Sequence, residues 1–167
     1  KCRYYSRSNL ITGGATAVNI EILDSSTYTE DINLEDNMIL NGSAATLEGT
    51  ITTDSGSTTH VILNNQRWAT ASTNLVEPGT GSTIVYKGNI VDVSSLCRAF
   101  YTSNSNSLIY ADIDLINVGG SSYGISASQG QIIAKVKWIK LVGSGSIGAA
   151  SSGGRVIVTA DDIIEKI

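Results

Sequence analysis

The chain has 167 residues and a formal net charge of −4, with 41% hydrophobic and 16% charged residues. Both fractions lie below the averages of globular proteins, about 45–50% and about 25%, because Ser, Thr, Gly and Asn take up many positions. The length allows one domain with a sizeable core. The shortage of clustered Lys and Arg argues against nucleic-acid binding, and no apolar run approaches the length of a membrane span.

The first 17 residues precede the first clear strand pattern, and we expect them to form an extended N-terminal arm. The arm alternates around a small set of residues that we predict to be its assembly contacts: Leu10, Ile11, Thr12, Gly14 and Thr16. Such an arm can add a strand to the sheet edge of a neighbouring molecule. The alternative is an edge strand within its own domain, which we predict to span residues 18–167.

Short segments of period-two alternation follow, separated by clusters of Gly, Asn, Asp and Ser. In the first half of the chain they predict strands over residues 18–23, 27–34, 38–40, 45–53, 59–63, 84–86 and 90–93. The turn Asp54-Ser55-Gly56-Ser57 predicts a hairpin. Residues 70–82 contain the only proline, Pro78, and predict a surface loop. Residues 94–101 predict a short helical turn.

The second half gives the clearest strands, over residues 107–118, 123–127, 131–142 and 155–158. Within residues 131–142 the alternation slips by one residue at Trp138-Ile139, which predicts a β-bulge or a bend between sheets. Residues 143–154 predict a Gly/Ser/Ala loop. The tetrapeptide Thr159-Ala160-Asp161-Asp162 is typical of a capping box and predicts a short C-terminal helical turn.

These short strands follow one another without a βαβ rhythm, the pattern of an antiparallel β-sandwich, jelly roll or related barrel. No internal repeat is evident. We therefore expect a single all-β domain.

The two cysteines, Cys2 and Cys97, predict one disulfide in an oxidising compartment. Two alternatives remain open, an intermolecular bond from the arm and two unrelated thiols with Cys97 buried. Because the chain begins at Lys1 without a signal-peptide pattern, we expect a mature extracellular, cell-surface or virion protein whose leader has been removed; a cloned fragment is the alternative.

We predict no catalytic or cofactor-binding residues. His60 is the single histidine and lies in no recognisable nucleophile context, and Asp112 with Asp114 has a spacing that many strands show by chance. Calcium is the one cofactor to consider, since oxygen ligands on loops suit it. Its weak candidate ligands are Asp24, Glu35 and Asp36.

The functional hypothesis is a structural subunit, not an enzyme, that self-assembles into an extracellular filament or pilus, or into a virion coat or tail. Its expected partners are copies of itself, joined through β-edges and the N-terminal arm. The first alternative is a carbohydrate-binding or adhesin module that contacts surface glycans through exposed aromatic rings, the candidates being Trp68, Tyr86, Tyr110 and Tyr123. A small hydrolase is the second alternative.

Overall fold

A computed structural model describes residues 17–68 and 73–164 of the chain. Within these ranges the regular structure consists of strands alone. The strands are β1 (Val18–Glu21), β2 (Thr27–Tyr28), β3 (Ile32–Leu34), β4 (Met38–Glu48), β5 (Ile51–Thr53), β6 (Thr58–Trp68), β7 (Asn74–Glu77), β8 (Thr83–Val93), β9 (Arg98–Thr102), β10 (Leu108–Gly119), β11 (Tyr123–Ala127), β12 (Gln131–Val142), β13 (Ile147–Ser151) and β14 (Arg155–Ile164).

The strands form two parallel sheets that the chain visits alternately. The larger sheet has eight strands in the order β1-β4-β6-β8-β10-β12-β14, with β2 also paired to β4. The smaller sheet has six strands in the order β13-β11-β9-β7-β5-β3. Because each circuit passes through both sheets, consecutive strands of one sheet run in the same direction. The fold is a parallel β-solenoid of about six turns.

The register shows how regular the stacking is. Thr58 pairs with Thr83, and Thr83 pairs with Leu108, so that two successive turns are each 25 residues long. In the next two turns Leu108 pairs with Gln131 and Gln131 pairs with Arg155, so that these turns are 23 and 24 residues long. The fold therefore repeats once per circuit of the solenoid, although the length of a circuit varies.

The eight-stranded sheet bends at the same position in its long strands. In β8, β10 and β12, alternate side chains are buried up to the bend, and two successive side chains then remain unburied before burial resumes. The unburied pairs are Asn89-Ile90, Asp114-Leu115 and Lys137-Trp138. We call the segments before the bend the first face and those after it the second face. The predicted slip near Trp138 is this bend.

The core lies between the faces and the six-stranded sheet. Tyr86 from the first face contacts Phe100 from β9, edge to face, with ring centroids 5.1 Å apart, and both side chains are fully buried. Ala111 follows Tyr86 in register. At Gly88 an added Cβ would lie 2.8 Å from the Cε1 of Tyr86, so this position must lack a side chain to admit the ring.

Recurring turns lead from the six-stranded sheet to the first face. Ser57, Ser82 and Ser107 immediately precede or begin the next strand, and all three are buried. The Ser82 hydroxyl donates to the Asp54 carbonyl oxygen at 2.6 Å and accepts from the Ser57 amide at 3.1 Å. Gly81 in the same turn has a φ of 69°, which favours glycine. The Ser82 hydroxyl thus satisfies backbone groups of the preceding turn, and the Ser107 hydroxyl donates to the Asn104 carbonyl oxygen within its own turn.

The structure corrects the predicted fold class. The antiparallel β-sandwich and the jelly roll are both wrong, because every strand pairing among the described residues is parallel. The turn at residues 54–57 carries the chain from one sheet to the other and forms no hairpin. Helical turns were also predicted, at residues 94–101 and near the C-terminus; both are wrong, since β9 and β14 occupy these regions.

The close contact at Gly88 gives a stability prediction. Gly88→Ala is expected to lower the free energy of unfolding by about 1–3 kcal/mol, because the new methyl group must displace the buried Tyr86 ring. Gly148→Ala is the matched control, since a Cβ there meets nothing nearer than 3.4 Å. Urea denaturation measures both changes, and equal effects of the two substitutions would contradict the packing described.

Candidate functional site

The first face carries an apolar stripe on its outer surface. Strand register places one outward residue from each of six strands in a single column across the solenoid. The column, which we call the first-face stripe, consists of Ile39, His60, Val85, Tyr110, Ile133 and Ile157. Since its neighbours along most of these strands point into the core, these side chains face away from it.

Five of the six stripe residues are apolar or aromatic, although the stripe lies on the outside. Tyr110 is 43% exposed, His60 is exposed, and the other four are half-buried. In a sheet with one side in solvent, the residues along each strand normally alternate between apolar side chains on the inner side and polar side chains on the outer side. The first-face stripe departs from this rule, and an apolar column on the outer side of a sheet is typical of a surface that another surface covers.

Charged residues of both signs line the stripe on the side of the bend. Lys87, Asp112 and Lys135 follow one another in register on the first face. At the bend itself, Lys137 forms an ion pair with Asp114 at 2.6 Å. The hydrogen bond to Asp114 and its negative charge raise the pKa of Lys137 above its ordinary value. Opposite charges therefore alternate along the solenoid axis.

The second face is held together by polar contacts between successive turns. Arg67 donates from Nε to Glu48 Oε1 at 2.6 Å, and Asn117 donates from Nδ2 to Asp92 Oδ1 at 2.5 Å. Each pair joins neighbouring strands, so it supports one order of stacking.

The column of exposed apolar residues on the second face spans fewer strands than the first-face stripe. It comprises Ile90, Leu115 and Trp138, which follow one another in register, together with Val142 at the end of β12; Trp138 is 46% and Val142 42% exposed. Asn65 pairs with Ile90 and ends this short run on one side. Among the side chains that the structure describes, the second face thus carries no apolar column as long as the first-face stripe.

The outer surface of the six-stranded sheet carries an internally bonded polar cluster. The Arg98 guanidinium lies over the ring of Tyr101, 4.5 Å from its centroid, and 5.6 Å from the centroid of Tyr123. Arg98 also donates to Asn74 Oδ1, and Asn74 in turn donates to Glu77. Because these groups bind one another, they tie successive turns together.

The aromatic residues proposed as glycan contacts lie in different environments. Tyr86 belongs to the core, where burial raises the pKa of its phenol far above the ordinary value. Its hydroxyl has no hydrogen-bond partner among the described residues. Tyr110 lies in the first-face stripe, Tyr123 is half-buried beside Arg98, and the side chain of Trp68 lies outside those described.

The candidate calcium ligands occupy two separate loops. Asp24 accepts from the Ser26 amide and from the Tyr28 hydroxyl, and these hydrogen bonds, the Ser26 bond first, lower the pKa of its carboxyl. Asp36 accepts from the Thr58 amide at 2.9 Å, and Glu35 lies beside it. Among the described residues no three metal-ligating side chains of the His, Cys, Asp or Glu types cluster. Calcium binding stays a prediction.

The remaining site predictions concern the N-terminus. The assembly residues of the arm and Cys2 lie outside the described residues, so the arm contacts and the disulfide stay predictions. Cys97 is fully buried just before β9. The described residues also contain no helix of the length and apolar character that a bilayer crossing requires.

Sequence reasoning missed the first-face stripe, although a signal for it was present. Runs of successive apolar residues, such as Ile84-Val85-Tyr86 and Val156-Ile157-Val158, interrupt strict alternation. Such runs indicate strands that are apolar on both sides. Only the register of the solenoid shows that the outward members of several such runs form one column.

The buried Tyr86 hydroxyl gives a pH-dependent prediction. Tyr86→Phe should raise the free energy of unfolding by about 1 kcal/mol near neutral pH, because a buried hydroxyl without a partner is removed. The wild-type protein keeps the phenol protonated when folded, so its stability should fall above pH 10 as the unfolded phenol ionises. Relative to Tyr86→Phe, the loss should reach about 1.4 kcal/mol in total at pH 11.

Denaturation of both proteins between pH 7 and about pH 11 measures this difference, over a range where the unfolded phenol passes its ordinary pKa. Parallel pH profiles for wild type and Tyr86→Phe would show that Tyr86 ionises equally in both states. That result would contradict its burial.

Comparisons with known proteins add no functional information. No protein-family model matches the chain, and neither curated proteins nor solved structures give a match.

Proposed function

We propose that this protein is a structural subunit that self-assembles, and that its first face packs against the first face of a second copy. The observation that carries the proposal is the first-face stripe, an apolar column on the outside of a sheet whose other side already forms the core. Burying such a column against a second copy removes apolar surface from water, which is the main driving force of association.

The dimensions of the first face suit a subunit interface. Six strands at a spacing of about 4.8 Å give a length of about 29 Å, and six residues of each strand give a width of about 20 Å. The face therefore offers about 600 Å² on each copy, or about 1,200 Å² in a pair, the lower end of standard interfaces. An interface of this size supports reversible association.

The charges beside the stripe favour a particular arrangement of the two copies. A twofold axis that runs parallel to the strands, between β8 and β10, would place each outward column of one copy opposite the same column of the second copy. The order of the strands along the column is then reversed between the two copies. The stripes then face each other, with Val85 opposite Tyr110 and Ile39 opposite Ile157 of the second copy. Lys87 lies opposite Asp112 of the second copy, so that two ion pairs flank the stripe.

This interface differs from the contacts that the sequence suggested. Strand edges and the N-terminal arm were the expected routes of assembly, and both stay separate proposals. A face-to-face contact joins solenoids side by side, whereas an edge contact would extend them along the axis. Together the two kinds of contact would build the filament or virion assembly of the functional hypothesis, and an extracellular location remains part of that proposal.

A charge placed in the stripe tests the interface. Ile133→Lys should convert the wild-type dimer to monomer at micromolar concentrations, because it brings an unpaired ammonium group into the apolar contact. Ile90→Lys is the matched control, since Ile90 is also a half-buried outward isoleucine but lies on the second face. Sedimentation velocity measures the mass of each species, and circular dichroism confirms that both variants fold.

Two results would contradict the proposal. One is a wild-type protein that sediments as a monomer throughout the micromolar range. The other is an oligomer that Ile90→Lys disrupts while Ile133→Lys leaves it intact, because the contact would then lie on the second face.

A further inference from the structure

A polar groove runs across three stacked turns at the margin of the first face. The turns precede β10, β12 and β14, and the groove between them has a volume of about 550 Å³. Small-molecule sites in proteins span about 300–1,000 Å³. The first and last of these strands lie two strand spacings apart, about 10 Å. The groove is thus long enough for one or two sugar rings.

Glycines form part of the groove's floor. An added Cβ at Gly130 would lie 2.5 Å from the Ser107 carbonyl oxygen, and one at Gly153 would lie 2.5 Å from the Ser128 carbonyl oxygen. The turns therefore approach too closely for side chains at these two positions. The side chains that a ligand can contact lie around these glycines.

The lining of the groove combines one cation with neutral hydrogen-bonding groups. Arg155 supplies the charge, and Asn106, Gln129 and Gln131 supply amides that both donate and accept. Leu108, half-buried, adds an apolar patch. Within residues 17–68 and 73–164 no carboxylate lines the groove, although the chain as a whole carries a net charge of −4.

Arg155 differs from the other two arginines that the structure describes. Arg67 is paired with Glu48, and Arg98 is bound to Asn74 and lies over the rings of Tyr101 and Tyr123.

Within the described residues, the exposed Arg155 side chain has no ion pair, hydrogen bond or ring contact. The side chains of Asn106, Gln129 and Gln131 likewise form no hydrogen bond within the described part of the chain. Their hydrogen-bonding capacity remains available to a ligand.

We infer that this groove binds a sugar that carries a carboxylate. A guanidinium group pairs with a carboxylate through two parallel hydrogen bonds, which gives Arg155 its role. Amide side chains match the hydroxyl groups of a sugar ring, because each can donate to one hydroxyl and accept from another. Leu108 can contact the apolar face of the ring.

The groove and the proposed interface share part of the first face, because Leu108, Gln131 and Arg155 begin β10, β12 and β14 two residues before the first-face stripe. Asn106 and Gln129 lie in the preceding turns, outside the strands of that face. A protein that fails to dimerise can still bind the sugar, and a protein that dimerises can fail to bind it. The two experiments therefore distinguish the two proposals.

Matched ligands test the assignment on the full chain. The probes are methyl glucuronide, methyl sialoside, methyl glucoside and acetate, titrated while the side-chain NMR signals of Gln129, Gln131 and Arg155 are followed. We expect at least one acidic sugar to bind about tenfold or more tightly than methyl glucoside and acetate, since charged hydrogen bonds are the strong ones. The two acidic sugars show whether the source is a uronate or a sialate.

Variants locate the site. Arg155→Gln should weaken binding of the acidic sugar about tenfold or more because the charged donor is lost. Arg67→Gln is the matched control on the second face and should leave the affinity unchanged. Equal binding of acetate and the acidic sugars would overturn the inference by showing a simple anion site. It would likewise be overturned if no acidic sugar bound, or if Arg155→Gln had no effect.

Discussion

The structure depends on one constraint: each turn of the solenoid must lie in register on the turn before it. Backbone hydrogen bonds between parallel strands hold neighbouring turns at the strand spacing. The register of these bonds places the inward side chains of successive turns above one another. A large side chain in one turn therefore needs small neighbours. Tyr86 meets this condition because Gly88 lies beside its ring and Ala111 follows it in the next turn.

This constraint leaves the outer surface free of any packing requirement within one molecule. Polar contacts between turns, such as Glu48 with Arg67 and Asp114 with Lys137, are sufficient to support the stacking order there. The first-face stripe does not serve the core, and its apolar character points to a contact outside the molecule. The groove beside Arg155 differs again, since its polar groups are not used to hold the turns together.

The sequence predicts the long strands but not the architecture, and it misses β7 and β13, which lie within the predicted loops 70–82 and 143–154. The alternation over residues 131–142 predicts β12 with the bounds that the structure shows, and the slip near Trp138 marks a real bend. Strand direction has no local signature, because a turn such as residues 54–57 satisfies the same residue preferences in a hairpin and in a corner between sheets. The antiparallel sandwich was wrong for this reason.

The repeat and the candidate surfaces needed information beyond local patterns. The segments Gly56-Ser57-Thr58 and Gly81-Ser82-Thr83 recur at the turn length, but later turns vary in both length and sequence. Without that period, the outward residues of different strands cannot be aligned into a stripe. The groove could not be predicted from local patterns either, because Asn106, Gln129 and Arg155 come together only when three turns are stacked.

Removal of one complete turn tests the solenoid most directly. Deleting the 25 residues from Thr83 to Ser107 joins Ser82 to Leu108 and preserves the register between β6 and β10. The account predicts a shorter protein that still unfolds cooperatively and keeps its β-type circular dichroism per residue, whereas deleting residues 83–94 alone should abolish folding because it breaks the register. An unfolded product from the full-turn deletion, or equal behaviour of the two deletions, would contradict a fold built from stacked turns.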